Sequence, residues 1–317
     1  MNKKEQKSRT IIIIVASIIL VISLGYLAYY LIQEKRAEEL NKELIDRHTD
    51  TVMITQETTV PETTTVSETT TTEATTVLEP LVELDSMKSF IADNPDTAGW
   101  ITVGGTSINN VVVQCGDNDF YLNHDFNGRS SQPGTIFADF RCVVNDYGFR
   151  QSDNIILYGH NQANGTMFGT LQKYKITKQN TSKFDFYLQH PTFTFSNLYE
   201  EYTYKIIALF VCEVNPEHTR DGVIFDYQNY IRFGSKEYTY EQFMQNVTER
   251  SEIITGVDVQ KGDQFMTLST CSNEFEPSRF IVIGRKVRDG ESPEVDTSLA
   301  KLNPDAKEPD WNFIYGN

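Results

Sequence analysis

Cys271 stands where an apolar, strand-like run, Gln264-Phe265-Met266-Thr267-Leu268, ends in the polar residues Ser269-Thr270. Eight residues later Arg279 opens a second apolar run, Phe280-Ile281-Val282-Ile283. A loop of that size folds back, so the spacing predicts two neighbouring strands with Cys271 and Arg279 facing each other across their ends. A thiol beside a fixed positive charge is in the environment that favours the thiolate. The arginine also offers several N–H donors to an oxygen that gains charge during acyl transfer. Such a pair needs a partner that exchanges protons near neutral pH, which is the chemistry of histidine.

Of the five histidines, His160 has the setting for that work. It directly follows Ile155-Ile156-Leu157-Tyr158-Gly159 and leads into Asn161 and the loop 162–166. An imidazole at the mouth of a strand is held by the strand while its ring faces a cleft. On residue chemistry alone, a structural histidine is an equal reading. His48, beyond the apolar N-terminal run, His190, before Pro191, and His218, in a polar stretch, read as solvated surface. His124, after Tyr121-Leu122-Asn123, is the remaining candidate.

The elements that must position these residues begin with a short basic segment, 1–10, carrying Lys3, Lys4, Lys7 and Arg9. Residues 11–32 then run without a charge, long enough to cross a hydrocarbon core of about 30 Å as a helix. The run is too long for the apolar core of a signal peptide, and Ala28-Tyr29-Tyr30-Leu31-Ile32 is a poor cleavage site, so an uncleaved anchor is expected. The basic N-terminus places that end in the cytoplasm and the rest outside. Within 33–80, a charged segment with Ala37, Leu40 and Leu44 at helical spacing prolongs the helix or forms a weak coiled coil. Residues 51–80 follow, 13 of them Thr, a composition that reads as a disordered stalk. The folded domain is expected over 81–288 and a polar extension over 289–317, with Trp311, Phe313 and Ile314 as docking residues.

Inside the domain, Leu84, Met87, Phe90 and Ile91 have helical spacing. Eight strand-like segments follow: 99–103, 109–113, 134–138, 154–159, 192–196, 202–213, 264–270 and 280–286. Turn signals such as Gly104-Gly105, Asn127-Gly128 and Pro133-Gly134 separate them. Many short strands in one domain suggest a closed barrel or a sandwich. One helix interrupts them, with Tyr240, Phe243, Met244 and Val247 on one face and Thr239 and Gln242 as a capping box. It either shapes a groove beside Cys271 or covers a barrel end.

These residues together resemble the sortases, cysteine transpeptidases of Gram-positive cell surfaces. Thr267-Leu268-Ser269-Thr270-Cys271 with Arg279 matches the TLxTC…R signature, and Tyr158-Gly159-His160-Asn161 matches the histidine segment, in the family's order. The similarity spans 94–286. Its segments 94–101, Asp117-Asn118, Tyr121-Leu122, 134–137 and 165–168 look like class B in particular. The resemblance implies a mainly β fold: a closed eight-stranded barrel with an N-terminal helix and a helix inserted before the cysteine strand, preceded by one transmembrane helix. It implies catalytic roles for His160, Cys271 and Arg279, and a substrate groove lined by Asn118, Leu122, Ser269 and Thr270. Ser269 alternates with Cys271 and shares its face in a regular strand, whereas Thr270 contributes through its backbone. A turn cap for Asn118 and a core position for Leu122 are the plain alternatives. Ser272 follows the cysteine where some relatives carry an acid, which bears on substrate preference rather than chemistry.

The implied partners are secreted proteins with a C-terminal NPxTN-like sorting signal and an amine of the peptidoglycan cross-bridge or its lipid-linked precursor. No cofactor or metal is implied, and no Cys/His cluster has ligand spacing. Residues 51–317 carry 20 basic and 37 acidic side chains, a surface that repels nucleic acid. Cys115 and Cys212 read as small apolar residues in strands, Cys142 as either core or bonded. Three other readings compete. A papain-like protease has its cysteine before its histidine, the reverse of this order. A pilin-type sortase would use a lysine acceptor. A stalked binding domain would leave the three strand-end residues unexplained.

Overall fold

The computed structural model describes residues 3–58, 82–145, 151–178 and 180–316. Helix α1 (Lys3–Thr58) contains the apolar run and continues through the charged segment without a break. It is long and apolar enough to cross a membrane. It also extends eight residues into the Thr-rich segment; the rest of the expected stalk, 59–80, lies outside the described residues. Helix α2 (Asp85–Asp93) buries Met87 and Phe90 and ends at Asn94, before Pro95.

The strands are β1 (Thr97–Val103), β2 (Asn109–Val113), β3 (Phe137–Ala138), β4 (Asn154–Tyr158), β5 (Thr192–Ser196), β6 (Glu201–Glu213), β7 (Ile253–Ile254), β8 (Phe265–Cys271), β9 (Ser278–Lys286) and β10 (Lys301–Leu302). Eight of them close a barrel in the order β1-β2-β3-β4-β8-β9-β6-β5. Each of the eight expected strands is a barrel strand. β3 is shorter than expected, because Gly134 turns at φ +64° and an added Cβ would lie 2.5 Å from the Tyr121 carbonyl oxygen. The barrel interior is filled by aliphatic and aromatic side chains from every barrel strand, while Trp100, Val111, Val113 and Phe137 of those strands join Phe90 and Leu44 in a second cluster.

Between β4 and β5 lies α3 (Phe184–Gln189). Helix α4 (Tyr240–Arg250) carries both halves of the Thr239/Gln242 capping box. Its Phe243, fully buried, packs against Phe225, Tyr230, Phe233 and Phe265. Burial of such a ring is worth about 2–3 kcal/mol. Phe265 opens β8, six residues and about 20 Å from Cys271 at strand rise, so the aromatic face of α4 covers the barrel away from the cysteine. The C-terminal extension pairs β10 with β7 and ends in the short helix α5 (Trp311–Tyr315). Trp311 and Ile314 pack on the core, while Phe313 is exposed beside Arg220.

Candidate active site

Three adjacent strands deliver the chemistry to one end of the barrel. β4 and β8 run parallel with Tyr158 paired to Ser269, so His160 and Cys271 emerge side by side two residues later. β9 returns antiparallel, and its register places Arg279 directly opposite Cys271. The expected hairpin is therefore present, and the histidine strand is its parallel neighbour.

The chain between Tyr158 and His160 is shaped by Gly159, whose added Cβ would lie 2.8 Å from the Phe168 ring. The loop beyond closes through the Asn161–Met167 bridge and the Phe168 N–H donating to the His160 carbonyl at 3.0 Å. His160 Nε2 lies 2.8 Å from the Leu122 carbonyl oxygen. A carbonyl only accepts, so Nε2 carries a hydrogen and Nδ1 is the nitrogen left to exchange a proton in the cleft. The Cys271 carbonyl accepts from Asn161 Nδ2 at 3.0 Å and Gln172 Nε2 at 3.2 Å. Each such bond is worth about 1 kcal/mol net. Together they tie the end of the cysteine strand to the histidine loop. Arg279 Nη1 donates to the Ser278 carbonyl at 2.9 Å, which fixes one corner of its guanidinium at the strand end.

His160, Cys271 and Arg279 are each half-buried and line a single cleft of ≈ 430 Å³. Asn118, Leu122, Ser269 and Thr270 line it as well, so all seven residues singled out in the sequence meet in one place. Leu122 is exposed at the rim rather than buried in the core. The Ser269 hydroxyl is 2.7 Å from the Tyr227 hydroxyl. Thr270 lines the cleft as well, while its Oγ1 is buried without a hydrogen-bond partner.

The other histidines lie elsewhere. His124 stacks on Phe120, with centroids 4.0 Å apart, and does not line the cleft. His48 is not a solvated surface residue: it stacks on Trp100 at 4.0 Å, and burial pushes its imidazole down to about 4. The available signal was Leu40, Leu44 and His48 at successive i+4 positions. All four cysteines are free thiols; Cys142 and Cys212 are buried, whereas Cys115 lies in the loop just past β2 rather than in a strand. None of the α4 residues lines the cleft. Among the described residues no cluster of three His, Cys, Asp or Glu is arranged to hold a metal ion.

Sequence reasoning missed the residue that braces the cleft wall, Asp139. Its buried carboxylate accepts from Asn118 Nδ2 at 3.0 Å, the Tyr158 hydroxyl at 3.0 Å and Arg141 Nε and Nη2 at 2.9 and 2.8 Å. Burial alone would raise this carboxyl, but Arg141 and the surrounding donors hold it below the usual carboxylate range. Arg141 reaches on to the Gln228 carbonyl at 2.9 Å and Asn229 Oδ1 at 3.0 Å. Asn118, Tyr158 and Gln228 all line the cleft, so one carboxylate joins three of its walls. The only signal in the sequence is an acid closing the 134–138 strand segment, two residues before an arginine.

No family model matches the chain. Two curated relatives do. Sortase B of Listeria monocytogenes is 33% identical over 206 residues, 64% of this chain and 74% of that protein. Sortase B of Staphylococcus aureus is 32% identical over 195 residues, 61% of this chain and 71% of that protein. Among solved structures, a sortase B–substrate complex from S. aureus superposes with a TM-score of 0.59 at 25% identity, covering 81% of this chain and 99% of that one. With the closed barrel and the shared cleft of Cys271, His160 and Arg279, these matches give the conclusion that the chain belongs to the class B sortases.

Proposed function

We propose that this protein is a membrane-anchored transpeptidase that cleaves a C-terminal sorting signal after threonine and joins the acyl group to a cell-wall amine. The observation that carries this reading is the strand register that sets Cys271 opposite Arg279, with His160 just past the end of the neighbouring parallel strand. Cys271 gives its thiol proton to His160 Nδ1, and the Sγ thiolate attacks the threonine carbonyl. Arg279 donates to the oxyanion that forms through its planar set of N–H groups. His160, with Nε2–H on the Leu122 carbonyl, gives its Nδ1 proton to the departing amine as the thioester forms. An incoming amine then attacks the thioester, His160 takes its proton, and the thiolate is released.

Asn118, Leu122, Ser269 and Thr270 form the substrate groove. The amide of Asn118 is oriented for this: one N–H is held by Asp139, and Oδ1 accepts from the Phe140 N–H at 3.0 Å. Its second N–H is the donor it offers a peptide carbonyl. The resemblance to class B enzymes supports an NPxTN-like motif and an acceptor amine of peptidoglycan or its lipid-linked precursor. The apolar run of α1 anchors the protein, and the four basic residues before it keep the N-terminus cytoplasmic.

The test incubates the full-length protein in detergent with a quenched peptide library of N/S/L-P-x-T-x type, with Cys271→Ala as control. Cleavage after Thr, absent in the control and diverted to a ligated product by added amines, is the expected result. Silence across the library with an unreactive Cys271 would favour a non-catalytic binding domain.

A further inference from the structure

The path of the chain between membrane and barrel departs from the stalk that composition suggests. Helix α1 does not end at the edge of its apolar run but continues and docks. Ala37 and Leu44 are buried, and Leu40 and Ile45 pack on the same cluster as Phe90, Trp100 and Val111. Asn41 Oδ1 accepts from Asn110 Nδ2 at 2.5 Å. Arg47 lies 4.1 Å over the Phe90 ring and pairs with Asp93, and His48 stacks on Trp100. These contacts span three turns of helix on two barrel strands and α2.

The docking also fixes a height. Asn164, in the loop that leaves His160, donates to Glu38 Oε1 at 3.1 Å. Glu38 is six residues past Ile32, so it lies about 9 Å along the helix from the end of the apolar run. The polar layer on each side of a bilayer is about 5–8 Å thick. The loop Asp125–Ser131, three residues beyond the cleft residue Leu122, faces Gln33–Glu43 of α1 across a shared polar pocket. Two loops that flank the cleft therefore sit beside the first turns of helix above the apolar run. The Thr-rich segment leaves α1 at Thr58, about 39 Å along the helix from Ile32, and returns to α2, which itself packs on α1. It is not the connection between the apolar run and the barrel.

We infer that the Gln33–Asp50 part of α1 is a rigid arm that seats the Cys271 cleft at the lipid surface, selecting peptides and amines tethered close to the bilayer. The inference rests on the anchor reading above. The Thr-rich segment then plays no part in spacing the enzyme from the membrane.

The test reads depth, not activity. Full-length Cys115→Ser/Cys271→Ala protein in liposomes carries one fluorophore, at Asn127→Cys or at Lys261→Cys. Lys261 lies just before β8, at the barrel end opposite Cys271. Headgroup-nitroxide lipids should quench the label at 127 several-fold more strongly than the label at 261. Leu44→Asp/His48→Asp should abolish that difference, with the barrel's denaturation midpoint measured alongside to show that it remains folded. Replacing residues 59–80 with a Gly/Ser linker of half the length should leave the difference intact. Equal quenching at both positions, or a difference that follows the linker instead of the arm, overturns the inference. Protein that does not co-float with liposomes fails the anchor reading and takes this inference with it. Co-flotation with equal quenching fails the arm alone.

Discussion

Asp139 and Arg279 show two ways a single residue serves the cleft. On the proposed mechanism Arg279→Lys keeps the charge but loses the planar set of donors. A drop in kcat of about 100-fold with little change in KM is expected, the size of effect that loss of one oxyanion donor produces. Steady-state kinetics on the cleaved peptide check it; a change confined to KM would make Arg279 a binding residue. Asp139 acts at one remove. Asp139→Asn leaves Arg141 without its carboxylate and Asn118 and Tyr158 without their shared acceptor. It should destabilise the domain by about 2 kcal/mol and raise KM, while the alkylation rate of Cys271 stays unchanged. Denaturant melts and iodoacetamide kinetics separate the two roles. The contrast also explains what was legible. Cys271, His160 and Arg279 stand at strand ends, where apolar periodicity stops abruptly. The cleft partners of Asp139, Asn118 and Tyr158, lie 21 and 19 residues away, and the Gln228 carbonyl lies 87 residues from Arg141, where no local pattern speaks.

Elements follow the same division. The eight barrel strands were readable because turn residues bound each apolar run, and their closure needed the resemblance, since strand count alone also fits a sandwich. The role of α4 was not readable: an amphipathic face says that a helix packs, not on which end of a barrel. The loop 272–277 between Cys271 and Arg279 was equally opaque. It is held from both sides: Lys175 pairs with Glu274 and donates to the Ser272 carbonyl at 2.9 Å, and α5 closes over the other face. Trp311 meets Phe275 at 5.8 Å, and the Tyr315 hydroxyl donates to the Glu274 carbonyl at 2.6 Å. Trp311→Ala should therefore loosen this loop locally, at a cost of about 1–2 kcal/mol. Faster amide exchange over 272–278, with the β8–β9 ladder still protected, is the expected signature; uniform exchange across the barrel would mean that Trp311 supports the fold as a whole.

At the scale of the whole molecule, the polar extension, expected to dock through Trp311, Phe313 and Ile314, is part of the tertiary structure, with Trp311 and Ile314 on the core. It crosses the barrel beside the end of α4, where β10 pairs with β7 and Asn303 bonds both the Ser251 and Glu252 carbonyls. Glu252 is buried there. Desolvation, with the Glu308 carboxylate of the extension beside it and only Lys178 opposing, pushes its carboxyl up to about 8. The sign follows from linkage. An unfolded glutamate titrates near 4.5, so the folded state holds this proton more tightly. The stabilisation is complete below about pH 4.5 and is lost as pH rises through about 8. Stability should fall from pH 5 to pH 9, and Glu252→Gln, which mimics the protonated carboxyl, should flatten that slope. Denaturation midpoints of both proteins across the range test it. A wild-type slope that Glu252→Gln leaves untouched would assign the titration to another group, whereas its loss assigns it to Glu252 beside the Glu308 of the extension.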